Sequence, residues 1–309
     1  MSFYKNIKTE NIELKLPFLK DDGFEIFIKR EDLIHPIISG NKFRKLKYNI
    51  EKFKKNKNST LITFGGAYSN HLLAVSYIAK IENINTIAFV RGDELGVLPL
   101  NSTLQRCLDN GMEFKFISRE KYRFRNDSNF LKNLSSKYNN AFIIPEGGTN
   151  DLGILGCEEI LTLRDKNFFD VICVPVGSGG TFSGLINSSL KKQKILGFSA
   201  LKNSNIINVI NKFVNKNNWK LIDEDLFGGY AKSNQNLIHF INKFYNDLNI
   251  KLDPIYNSKM IFKILEIIKQ NKWIYGKKIL IVNTGGLQSV ESFNKTLKTK
   301  KCATINYSL

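Results

Sequence analysis

The chain has 309 residues, enough to bury a large core in one or two domains without help from disulfides. Apolar residues make up 42% and charged residues 24%, a balance that excludes an intrinsically disordered protein. The formal charge of +18 would suit a polyanion, but no zinc-finger or RNP-type motif accompanies it, so we predict no nucleic-acid partner.

Short β-rich runs alternate with longer segments of helical apolar spacing. The predicted strands are 25–30, 60–64, 86–90, 113–117, 141–144, 171–176, 194–198 and 278–282, and the predicted helices are 43–53, 72–81, 103–110, 152–163 and 260–269. The polar stretch 119–129 is predicted to be a loop. This alternation predicts an α/β fold with two open, twisted, mostly parallel sheets covered by helices.

The cysteines and the apolar runs exclude several other classes. The four cysteines show no paired CxxC spacing, so we predict no metal site. No apolar run reaches the roughly 18 residues of a membrane span, and the first ten residues lack the apolar core of a signal peptide. We therefore predict no membrane partner and a cytoplasmic location.

Three glycine-bearing turns, at 64–71, 176–181 and 283–286, each follow an apolar run directly. In parallel α/β sheets this edge binds ligands, because backbone N–H groups at helix starts are unpaired and carry partial positive charge. The second turn is the best phosphate cradle, and its candidate binding residues are Gly177, Ser178, Gly179, Gly180 and Thr181. A dinucleotide fingerprint would need glycine at Phe182, which favours a smaller phosphate.

From spacing alone, Lys42 is one lysine among many. However, the chain resembles the aminocyclopropane-carboxylate deaminase/D-cysteine desulfhydrase family in nearly its whole length. The resemblance rests on segments 29–46, 65–71, 145–150, 177–181, 253–256 and 283–286, which occur in the expected order. Members of this family use pyridoxal phosphate.

The resemblance implies the fold of the tryptophan-synthase-β-like pyridoxal enzymes, known as fold type II. By that analogy, residues 1–49 and 151–309 form a large cofactor-binding domain, and residues 50–150 form a small inserted α/β domain. The cofactor is expected between the two, and the family suggests a homodimer.

The resemblance also assigns roles to individual residues. Lys42 corresponds to the lysine that holds the cofactor as a Schiff base and later takes the substrate Cα proton, since a lysine in a low-dielectric, cationic pocket has a depressed pKa. The other cofactor-binding candidates are Asn70 at the phenolic oxygen, residues 177–181 at the phosphate and Thr284 near the pyridine nitrogen. The catalytic candidates are Lys42, Ser69 and Tyr256, and the substrate-binding candidates are Ser69, Asn70, His71 and Tyr230.

Structural roles are open for several of these residues. Ser69 and Asn70 could merely cap a helix, Tyr256 could be a core tyrosine, and His71 could be a packed histidine.

The residue after Tyr256 is informative about the reaction. Aminocyclopropane-carboxylate deaminases carry a glutamate there that pairs with the pyridinium nitrogen, whereas this chain has Asn257. A neutral partner leaves a weaker electron sink, which suffices to eliminate a good leaving group such as thiolate. We therefore predict β-elimination from a small amino acid, with D-cysteine giving pyruvate, ammonia and sulfide.

Three alternatives stay open: aminocyclopropane-carboxylate deamination, elimination from D-serine or another β-substituted amino acid, and a non-catalytic basic protein that binds anions or nucleic acid.

Overall fold

The computed structural model describes residues 7–38, 40–139, 141–200, 205–223, 227 and 232–307. The chain forms two compact units. Unit 1 comprises Met1–Ile34, Ser39–Asn41 and Cys157–Leu309, and unit 2 comprises His35–Ile38 and Lys42–Gly156. The domain edges predicted from the sequence, 49/50 and 150/151, differ from these unit edges by several residues.

The regular elements alternate along the chain. The strands are β1 (Asn11–Glu13), β2 (Glu25–Lys29), β3 (Thr60–Gly65), β4 (Asn85–Arg91), β5 (Met112–Ile117), β6 (Phe142–Ile144), β7 (Val171–Val176), β8 (Lys194–Ser199), β9 (Trp219–Ile222) and β10 (Lys278–Val282). The helices are α1 (Pro17–Asp21), α2 (Asn41–Lys55), α3 (Asn70–Glu82), α4 (Ser102–Asp109), α5 (Arg119–Tyr122), α6 (Ser128–Lys137), α7 (Asp151–Glu158), α8 (Leu163–Phe168), α9 (Gly180–Ser188), α10 (Ile206–Asn211), α11 (Gln235–Leu248), α12 (Asn257–Lys269) and α13 (Ser289–Thr299).

Unit 1 is built on a sheet with the strand order β1-β2-β10-β7-β8-β9. β1 pairs antiparallel with β2, and the other neighbours pair in parallel. Every residue of β7 is buried, as expected for a strand covered on both faces. Val171 and Cys173 join one apolar cluster, while Ile172, Val174 and Val176 join another, so apolar cores lie on both sides of the sheet.

Unit 2 is built on a parallel sheet with the order β5-β4-β3-β6. Ile62 and Phe64 of β3 pack with Ile87 and Phe89 of β4 in one apolar cluster. Buried residues of α3, such as Leu72, contribute further to the core of this unit.

The predicted fold class of two mostly parallel sheets with covering helices is confirmed. Two predictions were wrong. The segment 152–163 is not a single helix, because α7 ends at Glu158 and α8 begins at Leu163. The stretch 119–129 is not a loop but contains α5, a 3-10 turn and the start of α6, with the buried ring of Tyr122 as its anchor.

Within the described ranges, no helix is long and apolar enough to cross a membrane.

Candidate active site

Lys42 is the second residue of α2, and the two residues before it are fixed by contacts within unit 1. Gly40 N–H donates to Glu31 O at 2.9 Å, and Asn41 N–H donates to Thr284 O at 3.3 Å. Gly40 has φ +65°, and a Cβ there would lie 1.8 Å from Thr284 O, so only glycine fits. The Asn41 side chain donates through Nδ2 to Thr181 Oγ1 at 2.8 Å. The peptide that leads into Lys42 is therefore attached to two of the three glycine-rich turns.

The turn after β7 has the features of a phosphate cradle. Helix α9 begins at Gly180, and its N-cap is Gly179 with φ +86° and no capping side chain. The first N–H groups of a helix have no partner within it, and together with the helix dipole they favour an anion. Gly177 has no side chain, which lets the ring of Tyr256 approach the turn. A Cβ at this position would lie only 3.3 Å from Cε1 of Tyr256. These residues fit a phosphate group.

The third turn is held by a buried network centred on Asn257. Its Nδ2 donates to Asp253 Oδ1 at 2.6 Å and to Gly285 O at 3.0 Å. Its Oδ1 accepts from Thr284 N–H at 3.0 Å and from Thr284 Oγ1 at 3.4 Å. A side-chain amide offers two donors and two acceptor sites, so these contacts use its whole capacity. Asn257 therefore holds the turn. Of the two residues considered for the pyridine nitrogen, Thr284 keeps hydrogen-bonding capacity as an acceptor through Oγ1, whose proton is donated to Asn257 Oδ1.

Asp253, which accepts from Asn257, also binds the backbone at the start of α12. Its carboxylate accepts from the backbone N–H groups of Ile255, Tyr256 and Asn257 at 2.9, 2.7 and 2.8 Å. Burial raises the pKa of Asp253, and these hydrogen bonds oppose the rise. The carboxylate thus fixes the backbone of the candidate catalytic Tyr256 at the start of α12.

In the turn after β3, a side chain caps the helix that follows. Ser69 is the N-cap of α3, and its Oγ accepts from Leu72 N–H at 3.2 Å, so Ser69 has the capping role that was one of its two interpretations. Its hydroxyl proton remains available to a ligand. Asn70 has a buried Oδ1 that makes no hydrogen bond within the described residues. His71 is 2% exposed, and burial, followed by the charges of Lys42 and Lys45, lowers its pKa well below the usual value.

The structure places the candidate residues on both units. Lys42, Ser69, Asn70 and His71 belong to unit 2, while residues 177–181, Tyr256 and Thr284 belong to unit 1. Within unit 1, Tyr256 lies beside Gly177, and Thr284 is joined to Asn41. Tyr230 lies outside the described residues.

Sequence reasoning missed three residues that hold the backbone around the candidate residues in place. Asn41 links to Thr181, Asp253 holds the backbone at Tyr256, and Lys45 donates through Nζ to Gly147 O at 3.0 Å. Asp253 carried a usable signal, since the Asp253-Pro254 dipeptide favours the start of a turn. Lys45 and Asn41 carried none, because their partners lie about a hundred or more residues away.

Comparison with known proteins identifies the family of the chain. A family model described as "Pyridoxal-phosphate dependent enzyme" matches residues 8–285. A putative 1-aminocyclopropane-1-carboxylate deaminase of Thermotoga maritima is 31% identical over 287 residues, which cover 86% of this chain and 89% of the relative. A bifunctional D-cysteine desulfhydrase/1-aminocyclopropane-1-carboxylate deaminase of Arabidopsis thaliana is 31% identical over 295 residues, covering 86% and 73%.

A solved structure of an ACC deaminase homologue superposes with a TM-score of 0.78 at 24% identity, covering 95% of this chain and 94% of the other. The fold is therefore that of the fold type II pyridoxal enzymes, as predicted. The chain belongs to the aminocyclopropane-carboxylate deaminase/D-cysteine desulfhydrase family of pyridoxal-phosphate-dependent enzymes. The family and cofactor predictions are confirmed, and the roles of individual residues stay predictions.

Proposed function

We propose that this enzyme catalyses α,β-elimination from a small β-substituted amino acid, with D-cysteine and water giving pyruvate, ammonia and hydrogen sulfide. The observation that carries this proposal is the state of Asn257. Its amide is fully engaged by Asp253, Thr284 and Gly285, at the position where aminocyclopropane-carboxylate deaminases are expected to carry a glutamate. The substrate class follows from that neutral site.

The residues present fit pyridoxal phosphate. Lys42 would hold the cofactor covalently through Nζ, the start of α9 would bind its phosphate, and Asn70 would bind its phenolic oxygen. The fit is supported by the absence of a capping side chain at α9 and by the buried Oδ1 of Asn70, which has no partner among the described residues and could accept from the phenolic O–H. Thr284 would face the ring nitrogen, since Asn257 has no hydrogen-bonding capacity left.

The electrostatics favour elimination of a good leaving group. Pyridoxal phosphate, when bound, supplies an electron sink conjugated with the substrate Cα. A carboxylate at the ring nitrogen would strengthen that sink, whereas the hydroxyl of Thr284 leaves it weaker. Opening an unactivated ring needs the stronger sink, while loss of thiolate does not.

Each catalytic residue has a role in this scheme. Lys42 Nζ, released by the incoming substrate, takes the proton from Cα as the bond to the β-substituent breaks. Ser69 Oγ keeps its proton for a contact with the substrate carboxylate, because the oxygen accepts from Leu72 N–H. The Tyr256 hydroxyl would transfer a proton, and the backbone of Tyr256 is held by Asp253.

The test is a substrate panel with purified enzyme. D-cysteine, L-cysteine, D-serine and aminocyclopropane carboxylate are compared, with sulfide, pyruvate or 2-oxobutanoate and ammonia as products. We expect D-cysteine to give the highest kcat/KM. Turnover of aminocyclopropane carboxylate at a comparable or higher kcat/KM would overturn the proposal in favour of the deaminase reaction.

A matched variant tests the tyrosine. Tyr256→Phe keeps the ring beside Gly177 and removes only the hydroxyl, so kcat for D-cysteine should fall by roughly 100-fold or more. Unchanged kcat would remove Tyr256 from the reaction.

The Arabidopsis relative, whose name carries both activities, makes aminocyclopropane-carboxylate deamination the second candidate. We also propose a homodimer, as the family resemblance suggests, which sedimentation of the purified enzyme would test. Membership of an enzyme family argues against the non-catalytic alternative.

A further inference from the structure

The hydrogen bonds around His71 determine which of its ring nitrogens carries the proton. Nε2 lies 2.8 Å from Thr63 Oγ1, and the same hydroxyl donates to Ile144 O at 2.9 Å. A hydroxyl has one proton, and this one is used on the carbonyl. Thr63 can therefore only accept from His71, so Nε2 is protonated and Nδ1 presents a lone pair.

Nδ1 has no hydrogen-bond partner among the described residues, although it is buried. Gly148 provides space next to it, since a Cβ at Gly148 would lie 3.6 Å from Nδ1 and 3.3 Å from Cβ of Lys45. A buried acceptor without a partner costs free energy, so such a group is expected to meet a donor at some stage of the enzyme's cycle.

The charges that act on this imidazole come from α2. Burial lowers the pKa of His71 first, and the ammonium groups of Lys42 and Lys45 lower it further. Glu146, the acid of the turn 145–148, is paired with Arg125 at 2.6 Å. His71 is therefore neutral near pH 7, and Nδ1 acts as an acceptor.

Of the two lysines, Lys45 is hydrogen-bonded to the turn that contains Gly147 and Gly148. Its Nζ donates to Gly147 O at 3.0 Å and to Thr149 Oγ1 at 3.2 Å. Residues three apart on a helix lie on the same face, so Lys42 projects from the face of α2 that carries Lys45. Both lysines influence His71, and only Lys42 has a proposed chemical cycle in which its amine is released.

We propose that His71 is a positioning residue whose Nδ1 accepts a hydrogen bond from the ε-ammonium of Lys42 when that amine is released from the cofactor. This rests on the role proposed above for Lys42. When the Cα–H bond breaks, the new N–H bond forms at Nζ, and the imidazole takes no proton. It holds the ammonium in place and stabilises its charge until the proton leaves.

The first test is the tautomer. The chain has three histidines, so ¹⁵N-histidine labelling of the full-length enzyme gives a simple spectrum, and His71→Asn identifies the His71 signals. We expect a protonated Nε2 and a bare Nδ1 that do not titrate between about pH 6 and pH 8. A protonated Nδ1, or an imidazole that titrates in this range, would overturn the proposal.

The second test measures how readily the amine of Lys42 loses its proton. Cofactor-free enzyme is mixed with pyridoxal phosphate at a series of pH values, and the rate of covalent capture is followed by reduction and mass spectrometry. Because an acceptor stabilises the ammonium, His71→Leu should move the pH midpoint of capture down by about one unit. His71→Asn, which keeps an acceptor near the position of Nδ1, should restore the wild-type midpoint.

Thr63 supplies a matched pair that leaves His71 in place. Thr63→Val removes the acceptor that fixes the tautomer and should lower the midpoint, whereas Thr63→Ser should leave it unchanged. An unchanged midpoint in both His71→Leu and Thr63→Val would contradict the proposal. Neither test uses D-cysteine, so failure of the substrate assignment would be seen separately; capture that persists in Lys42→Ala would instead show that the role of Lys42 is wrong.

Discussion

The turns after β3 and β7 share one pattern, a buried strand, glycine and then a helix, yet they satisfy the helix start in opposite ways. After β3, the Ser69 side chain accepts from Leu72 N–H at 3.2 Å. After β7, the N-cap is Gly179, which has no side chain to offer. In the first turn a side chain accepts from one of the first N–H groups of the helix, and in the second no side chain does, so its backbone donors are left for an anion. The N-cap residue thus separates a helix start capped by its own chain from one suited to phosphate.

A third helix start, that of α8, has the most hydrogen bonds from side chains of the three. Thr162 caps α8 in a capping box, where Thr162 Oγ1 accepts from Asp165 N–H at 3.1 Å and Asp165 Oδ2 accepts from Thr162 N–H at 2.9 Å. Asp165 also binds Lys29 Nζ at 2.8 Å and Asn11 Nδ2 at 2.6 Å. This helix start is closed by protein groups alone.

The largest effect on stability is expected when the Asp165 carboxylate at this helix start is neutralised. Asp165→Asn would leave the Lys29 ammonium, whose side chain is 1% exposed, without its counter-charge, which should cost about 3–5 kcal/mol of the free energy of unfolding. Urea unfolding measures this. Glu113→Gln, which breaks the exposed pair with Lys115, is the control and should change the free energy far less. Equal losses would show that the buried pair is not structural.

The next effect concerns the uncapped turn. Gly179 and Gly111 have φ of +86° and +87°, but a Cβ at Gly179 would lie 3.3 Å from Ile210 Cγ1, whereas Gly111 has nothing within 4 Å. Gly111→Ala should therefore cost only the backbone strain, about 1–2 kcal/mol. Gly179→Ala should cost more and should also weaken retention of pyridoxal phosphate after dialysis. Normal retention would argue against phosphate binding at this turn.

Removing one hydroxyl group from each turn compares their roles in cofactor binding and in stability. Thr181→Val removes the acceptor of Asn41 Nδ2 at the phosphate turn, so the dissociation constant for pyridoxal phosphate should rise about tenfold. Ser69→Ala removes a cap and should lower the free energy of unfolding by about 1 kcal/mol with cofactor affinity unchanged. The opposite pattern would reverse the roles of the two turns.

The smallest effect is a pH dependence. Burial acts to raise the pKa of Asp165, but the hydrogen bond and charge of Lys29 outweigh it and hold the pKa below the ordinary 3.8. A carboxyl with a lowered folded-state pKa stabilises above its unfolded pKa, and this contribution is lost as the pH falls below 3.8. The raised pKa of Asp253 acts in the opposite sense, so the measurement is the difference between wild type and Asp165→Asn. The difference in free energy of unfolding should shrink as the pH falls below 3.8. A difference that stays constant with pH would contradict the lowered pKa of Asp165.

The sequence predicted most of the fold because buried strands leave a local signal. β7 and β10 have the predicted bounds, since β7 is a continuous apolar run and β10 is one after Lys278. β1 was missed because a three-residue edge strand with two polar residues carries no such pattern, and β9 because it is short and only partly buried.

The candidate site can be predicted only in part from the sequence, for a related reason. Glycine-rich turns are local patterns, so the turn after β7 can be proposed for phosphate from the sequence alone. The bond from Asn41 to Thr181 spans 140 positions, and the tautomer of His71 depends on Thr63 and Ile144 together. Contacts of this kind arise only when the chain is folded.

The central claim is that Lys42 holds the cofactor, and the most direct measurement is the visible absorbance of the purified enzyme with added pyridoxal phosphate, for wild type and Lys42→Ala. We predict a visible band in the wild type that borohydride removes with a permanent mass increase on the peptide containing Lys42. Lys42→Ala should show neither the band nor D-cysteine turnover. A wild-type level of the band, or of turnover, in Lys42→Ala would contradict the claim.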